Sequence, residues 1–250
     1  MSGPTPDGGG VVVVVPTYNE RENLPGLLAR LHAVLPGLRV LVVDDDSPDG
    51  TGVLADELAL RDDRVRVLHH GARAGLGAAY VDAFALLLAD EPDAGWVVQM
   101  DADGSHAPEE LPSLLAAARE GADVVLGSRY VPGGVIQDWS AHRRLLSRAG
   151  NAYSRAALGL PVRDVTGGYR LFRRAVLERL DVATVASQGY CFQVDVAFRV
   201  VRLGFAVREV PITFAERVAG TSKMNPTIVR EALWRVTSWA VRDRLRRRAH

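Results

Sequence analysis

A chain of 250 residues suits one large domain, or one domain with a substantial appendage. Hydrophobic residues make up 48%, which excludes a disordered chain, and a formal net charge of zero offers no basic field for nucleic acid. The single cysteine, Cys191, excludes an intrachain disulfide and a cysteine-cluster metal site, and it suits a reducing compartment.

The opening MSGPTPDGGG has neither a basic start nor an apolar stretch, so residues 1–10 are expected to be a disordered tail rather than a secretory leader. Short β-branched runs then alternate with helical patterns. Strands are predicted at 11–15, 38–45, 64–68, 96–101 and 123–129, and helices at 21–35, 51–61, 76–90 and 108–120. Near-continuous apolar strands between helices imply a parallel sheet covered on both faces. Farther on, a helix is predicted over 142–158, then the stretch DVTGGYRLFRR (164–174), a helix at about 192–203 and a strand at 206–213. The loop ERVAGTSKM (216–224) leads into a long C-terminal helix. No apolar run approaches the roughly 18 residues needed to span a bilayer, so a soluble or surface-attached protein is expected.

Open α/β sheets bind ligands at the carboxyl ends of their strands. Here those ends carry PTYNE (16–20), DDDSPDGT (44–51), DADGSH (101–106) and GSRYVPGG (127–134). Two carboxylates at i and i+2, Asp101 and Asp103, can reach one hard cation such as Mg²⁺, whose shell substrate phosphates and water complete. Asp103 can also simply cap the following helix. His106 reads as a supporting group rather than a metal ligand. A dinucleotide-binding turn is disfavoured, because PTYNE has no glycine where the first strand should be followed by G-x-G-x-x-G.

These motifs occur in order with GLGAAY (75–80), DVTGGYRLFRR, GYCFQVD (189–195) and ERVAGTSKM. Together they strongly resemble family 2 glycosyltransferases of the GT-A fold, and more closely the polyprenol-monophosphate mannose synthases of the dolichol-phosphate mannose synthase group. The resemblance covers roughly residues 10–225. It implies a GT-A catalytic domain over 11–225 and an open, mostly parallel sheet flanked by helices. It also implies an inverting transfer of mannose from GDP-mannose to a polyprenyl monophosphate. Mg²⁺ or Mn²⁺ held by Asp101 and Asp103 would neutralise the leaving diphosphate. Ser105 stands where some members have a metal-contacting glutamine. Asp45 would contact the guanine, and Pro16, Tyr18 and Glu20 would line the base and ribose pocket. Arg129, Arg143 and Ser147 would clamp the lipid phosphate, with Arg144, Arg148 and Arg170 as further cations. Arg217 and Lys223, the only lysine in the chain, would belong to a loop closing over sugar and phosphates. Asp195 could orient an arginine of the clamp.

The alternatives are a polyprenyl-phosphate transferase using a UDP-sugar, and a nucleotide-sugar-binding subunit without activity. Residues 226–250 form a basic amphipathic helix on this reading. Seven arginines oppose Glu231 and Asp243, and two apolar lines run along it, one through Val229, Leu233, Val236 and Ala240 and one through Trp234, Val241 and Leu245. Such a helix suits an anionic membrane surface, and equally a domain-packed face with solvated arginines. The implied location is cytoplasmic, peripheral on the cytoplasmic face of a membrane, with room for a membrane-anchoring partner protein.

Overall fold

The computed structural model describes residues 5, 7–185, 190–216 and 226–248. In the first half the predicted elements are all present: strands β1 (Val11–Thr17), β2 (Arg39–Asp44), β3 (Val65–His69), β4 (Trp96–Gln99) and β5 (Val124–Ser128), and helices α1 (Leu24–Val34), α2 (Thr51–Ala59), α3 (Leu76–Asp90) and α4 (Leu111–Arg119). Beyond them come β6 (Val135–Ile136), α5 (Ala141–Leu158), β7 (Arg170–Arg173), α6 (Arg174–Leu180), α7 (Tyr190–Arg202), β8 (Val207–Pro211), β9 (Thr213–Phe214) and α8 (Pro226–Arg248).

Seven strands form one sheet in the order β3-β2-β1-β4-β7-β5-β8, and β6 pairs with β9 beside it. β1 runs parallel to β2 and β4, and β5 runs parallel to β8. The sheet is mostly parallel, as expected; its exception is β7, which is antiparallel to both β4 and β5. That strand escaped prediction because it is only four residues long and has arginine at both ends, so it does not read as a core strand. Nor was α6 foreseen.

The valines of β1 are buried on both faces, as β-branched residues of a central strand must be. Even-numbered Val12 and Val14 join the core under α3, α6 and α7, which also takes Val236 and Ala240 of α8. Odd-numbered Val11, Val13 and Val15 join the core under α1 and α4. This alternation is the period-two rule of a strand. The tail expected over 1–10 is tied down from Asp7 onward. Gly37 N–H donates to the Asp7 carbonyl at 2.8 Å, and Gly8, at φ +90°, lies so close to Leu35 and Leu38 that a Cβ would meet the Leu35 Cβ at 3.0 Å.

Candidate active site

At the β1–β2 end, polar side chains latch the strand tips together. Thr17 Oγ1 donates to Asp44 Oδ1 at 3.0 Å, and the Ser47 hydroxyl donates to the same oxygen at 2.6 Å. Asp45 faces the loop after β3. It accepts the backbone N–H groups of Ala74 (2.7 Å) and Gly75 (2.9 Å) and lies 3.0 Å from His70 Nδ1. Burial raises its pKa, but these bonds outweigh burial and hold the carboxyl below its ordinary range. Tyr18 and Glu20 stand half-buried beside it, and the Arg73 guanidinium lies 3.9 Å over the Tyr18 ring. Arg73 escaped the sequence reading, since a lone arginine in a glycine loop carries no periodic signal.

Asp101 follows β4 and is half-buried; Asp103 is buried. The Ser105 N–H donates to Asp103 Oδ1 at 3.0 Å, closing a turn around Gly104 at φ +77°. The Asp101 N–H donates to His106 Nδ1 at 3.1 Å, and the His106 ring stacks on Tyr169 with centroids 5.1 Å apart. His106 is thus packed into the scaffold. The buried Ser105 hydroxyl has no partner among the described residues. Two carboxylates and an orphaned hydroxyl form an all-oxygen donor set, which fits a hard cation of the Mg²⁺ or Mn²⁺ kind with the remaining ligands supplied by phosphate and water. Among the described residues no group of three His, Cys, Asp or Glu side chains makes a complete protein cage.

Gly168 completes this corner. The β4–β7 register pairs Gln99 with Arg170, so Gly168 stands opposite Asp101. A Cβ there would lie 3.5 Å from Asp101 Oδ2 and 3.3 Å from His106 Cε1. Gly167 likewise sits close to backbone, where a Cβ would meet the Gly127 carbonyl at 3.1 Å.

Beyond β5 the site becomes cationic. Arg129 is buried, and Asp164 holds it through Nε–Oδ2 and Nη2–Oδ1 contacts, both 2.7 Å; Nη2 also donates to Thr166 Oγ1 at 2.9 Å. Burial pushes the Asp164 carboxyl up, but the charge and hydrogen bonds of Arg129 outweigh it and hold it below the ordinary value. Arg143 pairs with Glu216 at 2.9 Å and lies 3.9 Å over the Trp139 ring. Ser147 accepts the Tyr130 hydroxyl at 2.7 Å. All three predicted clamp residues line one solvent-open cavity whose other walls include Leu146, Val194, Leu233 and Val236.

Two expectations are corrected here. Arg170 is not a phosphate-facing cation: it is fully buried and donates to the carbonyls of Gly167, Val165 and Gln193, each at 2.8 Å. Burial draws its pKa down to about 10, against the opposing pull of Asp164. Asp195 pairs with Arg199 one helical turn away, at 2.8 Å, rather than orienting the clamp. The functional residue that sequence reasoning missed is Asp164, whose link to Arg129 spans 35 residues and leaves no local spacing. Arg217 and Lys223 lie outside the described residues.

The profile of the family described as Glycosyl transferase family 2 matches residues 12–181. The chain belongs to that family. As a family 2 glycosyltransferase with the GT-A fold, it is 54% identical to the polyprenol monophosphomannose synthase of Mycolicibacterium smegmatis over 94% of this chain and 89% of that protein. It is 50% identical to the undecaprenyl-phosphate mannosyltransferase of Micrococcus luteus, over 94% and 95%. Among solved structures, glucosyl-3-phosphoglycerate synthase from Mycobacterium tuberculosis, in complex with Mn²⁺, uridine diphosphate and phosphoglyceric acid, matches with a TM-score of 0.64 at 21% identity, over 95% of this chain and 78% of that one. That likeness is one of fold.

Proposed function

We propose that this glycosyltransferase moves mannose from GDP-mannose to a polyprenyl monophosphate, with inversion, giving a β-linked polyprenyl-phosphate mannose and GDP. The observation that carries the reading is the reach of one short segment. Asp164 and Thr166 hold Arg129 in the wall of the apolar-walled cavity, and Gly168, two residues on, abuts the Asp101 carboxylate. Five residues, 164–168, thus join a cationic, lipid-compatible end to a metal-compatible end. The two mannosyl-transferring relatives, each at least 50% identical, support the sugar and the acceptor class.

A divalent cation at Asp101, Asp103 and Ser105 would neutralise charge on the departing diphosphate. The chain's own residues do the rest. Asp45, Pro16, Tyr18 and Glu20 take the nucleoside end. Arg129, Arg143 and Ser147 orient the acceptor phosphate, a task suited to planar guanidinium groups. The acceptor needs no strong base: the second pKa of a phosphate monoester is about 6, so it is already largely an oxyanion at neutral pH. One of its oxygens bonds to the anomeric carbon from the face opposite GDP. The bond to the diphosphate oxygen breaks, and its electron pair leaves with GDP.

The acceptor's hydrocarbon chain stays in a bilayer, so the enzyme must reach the membrane. No described helix is long and apolar enough to cross one. On α8, Val236 and Ala240 pack inward, while Trp234 (67%), Leu245 (61%) and Val241 (50%) are exposed. Leu145, Arg144 and Arg148 of α5 are exposed too. Apolar and arginine side chains together support docking on an anionic surface at the cytoplasmic face. The test is nucleotide release with GDP-mannose, UDP-glucose and UDP-N-acetylglucosamine, each with a short polyprenyl phosphate or the matching polyprenol. Release from GDP-mannose alone, and only with the phosphorylated lipid, is expected. Preference for a UDP-sugar overturns the donor, and release with the polyprenol overturns the acceptor.

A further inference from the structure

On the sheet face that carries α3 and α7, three buried polar side chains belong to elements packed around Arg170. Gln99 of β4 pairs in register with Arg170 of β7. Arg170 Nη1 donates to the Gln193 carbonyl at 2.8 Å. Tyr80 of α3 stacks on Phe192, the neighbour of Gln193, with ring centroids 5.7 Å apart. Tyr80 and Gln99 are 0% exposed and Gln193 is 3% exposed.

Their polar ends are unmatched. Tyr80 Oη and both amide atoms of Gln99 and of Gln193 have no partner among the described residues. Left bare, five such atoms would cancel most of the net stability of a domain this size. Leucine, valine or phenylalanine would pack in these places without that penalty. Buried polar groups without protein partners are as a rule bridged by ordered water, two to four bonds to each molecule.

Asp101 stands beside this group of side chains. It lies two residues past Gln99 along the same chain, and its carboxylate sits against Gly168, two residues before Arg170. Alternation along paired strands therefore puts the Asp101 carboxylate on the Gln99 and Arg170 face.

We propose that Tyr80, Gln99 and Gln193 enclose an ordered-water cluster beneath Asp101, and that this cluster positions the carboxylate for its divalent cation. The inference rests on Asp101 being a metal carboxylate, as proposed above. The three side chains are positioning residues: they act through water on Asp101 and touch neither substrate. Groups behind metal-binding side chains commonly shift metal affinity by about 10–100-fold when removed.

The experiment measures GDP binding by calorimetry, with a Mn²⁺ titration and in EDTA, for the wild type, Tyr80→Phe, Gln99→Met and Gln193→Met. Tyr80→Phe removes one oxygen and keeps the ring stack, so it serves if a glutamine variant fails to fold. The expected result is Mn²⁺ affinity in the presence of GDP weakened about 10-fold, with metal-free GDP binding unchanged. A high-resolution crystal structure of the wild type is expected to show water bonded to all three side chains. Wild-type Mn²⁺ affinity in Tyr80→Phe and the folded glutamine variants, or absence of that water, overturns this proposal alone. Absence of Mn²⁺-dependent GDP binding by the wild type overturns the metal reading as well.

Discussion

Asp164 grips Arg129 at two points, Nε to Oδ2 and Nη2 to Oδ1, and Oδ2 also accepts the Arg129 backbone N–H at 3.0 Å. The guanidinium plane is thereby fixed in the wall of the cavity that Arg143 and Ser147 also line.

Asp164→Asn should destabilise the fold by about 3–5 kcal/mol, because it leaves a buried guanidinium without its counter-charge. The carboxyl's folded pKa lies below its ordinary value, held there by Arg129 against the pull of burial. Its stabilisation is therefore complete above the unfolded pKa and is lost as pH falls through the lower folded value. Urea denaturation from pH 7 down to about pH 3 should show the gap between wild type and variant narrowing below about pH 4. A constant gap across that range would contradict the assignment.

Gly168→Ala should lower turnover by about 10–100-fold, since small displacements of a reacting group are costly. Its Cβ would press at 3.3 Å on His106 Cε1, in the ring that accepts the Asp101 N–H, and touch the Asp101 carboxylate at 3.5 Å. Asp101→Asn should fall further still, with thermal melting close to wild type. Turnover with saturating Mn²⁺, set against melting temperature, checks both; near-normal turnover in Asp101→Asn rules out its metal role.

Arg143→Ala should raise the KM for polyprenyl phosphate far more than it weakens binding of GDP-mannose. Arg143 lines the apolar-walled cavity and rests on Trp139, away from the Asp45 end. Steady-state kinetics with each substrate varied in turn provides the comparison. An equal loss on both sides would remove Arg143 from the acceptor clamp.

Replacing Trp234, Val241 and Leu245 together by glutamine should abolish flotation with anionic liposomes while leaving melting nearly unchanged, because these side chains lie on the exposed line of α8. Truncation at Val241 is a poorer test: it removes Asp243, which pairs with Arg202 at 2.9 Å and ties the helix to α7. Flotation of the triple variant like wild type would remove α8 from membrane docking.

The strand-and-helix order of the first half was legible because its buried strands are unbroken apolar runs and its helices keep a 3.6-residue period. Asp101 and Asp103 were legible as a pair at a strand end. Asp164 and Gly168 were not, since their meaning depends on Arg129 and Asp101, which the sheet brings to them from distant positions. Arg170 misled for the same reason: an arginine beside glycines reads as a phosphate ligand, and only the antiparallel insertion of β7 shows it facing carbonyls in the core. The Asp195–Arg199 contact, by contrast, is an i,i+4 helix pair and could have been read from spacing. On α8, Val236 and Ala240 pack inward as the domain-packed reading expects, while Leu233, Trp234, Val241 and Leu245 are exposed.

The central claim is that mannose passes from GDP-mannose to the phosphate of a polyprenyl lipid. The most direct measurement is mass and NMR analysis of the lipid formed from GDP-mannose, a short polyprenyl phosphate and Mn²⁺. The expected product is a lipid heavier by one hexose residue, joined to phosphate through a β-anomeric bond. An unmodified lipid, or a sugar carried on any group other than the phosphate, would contradict it.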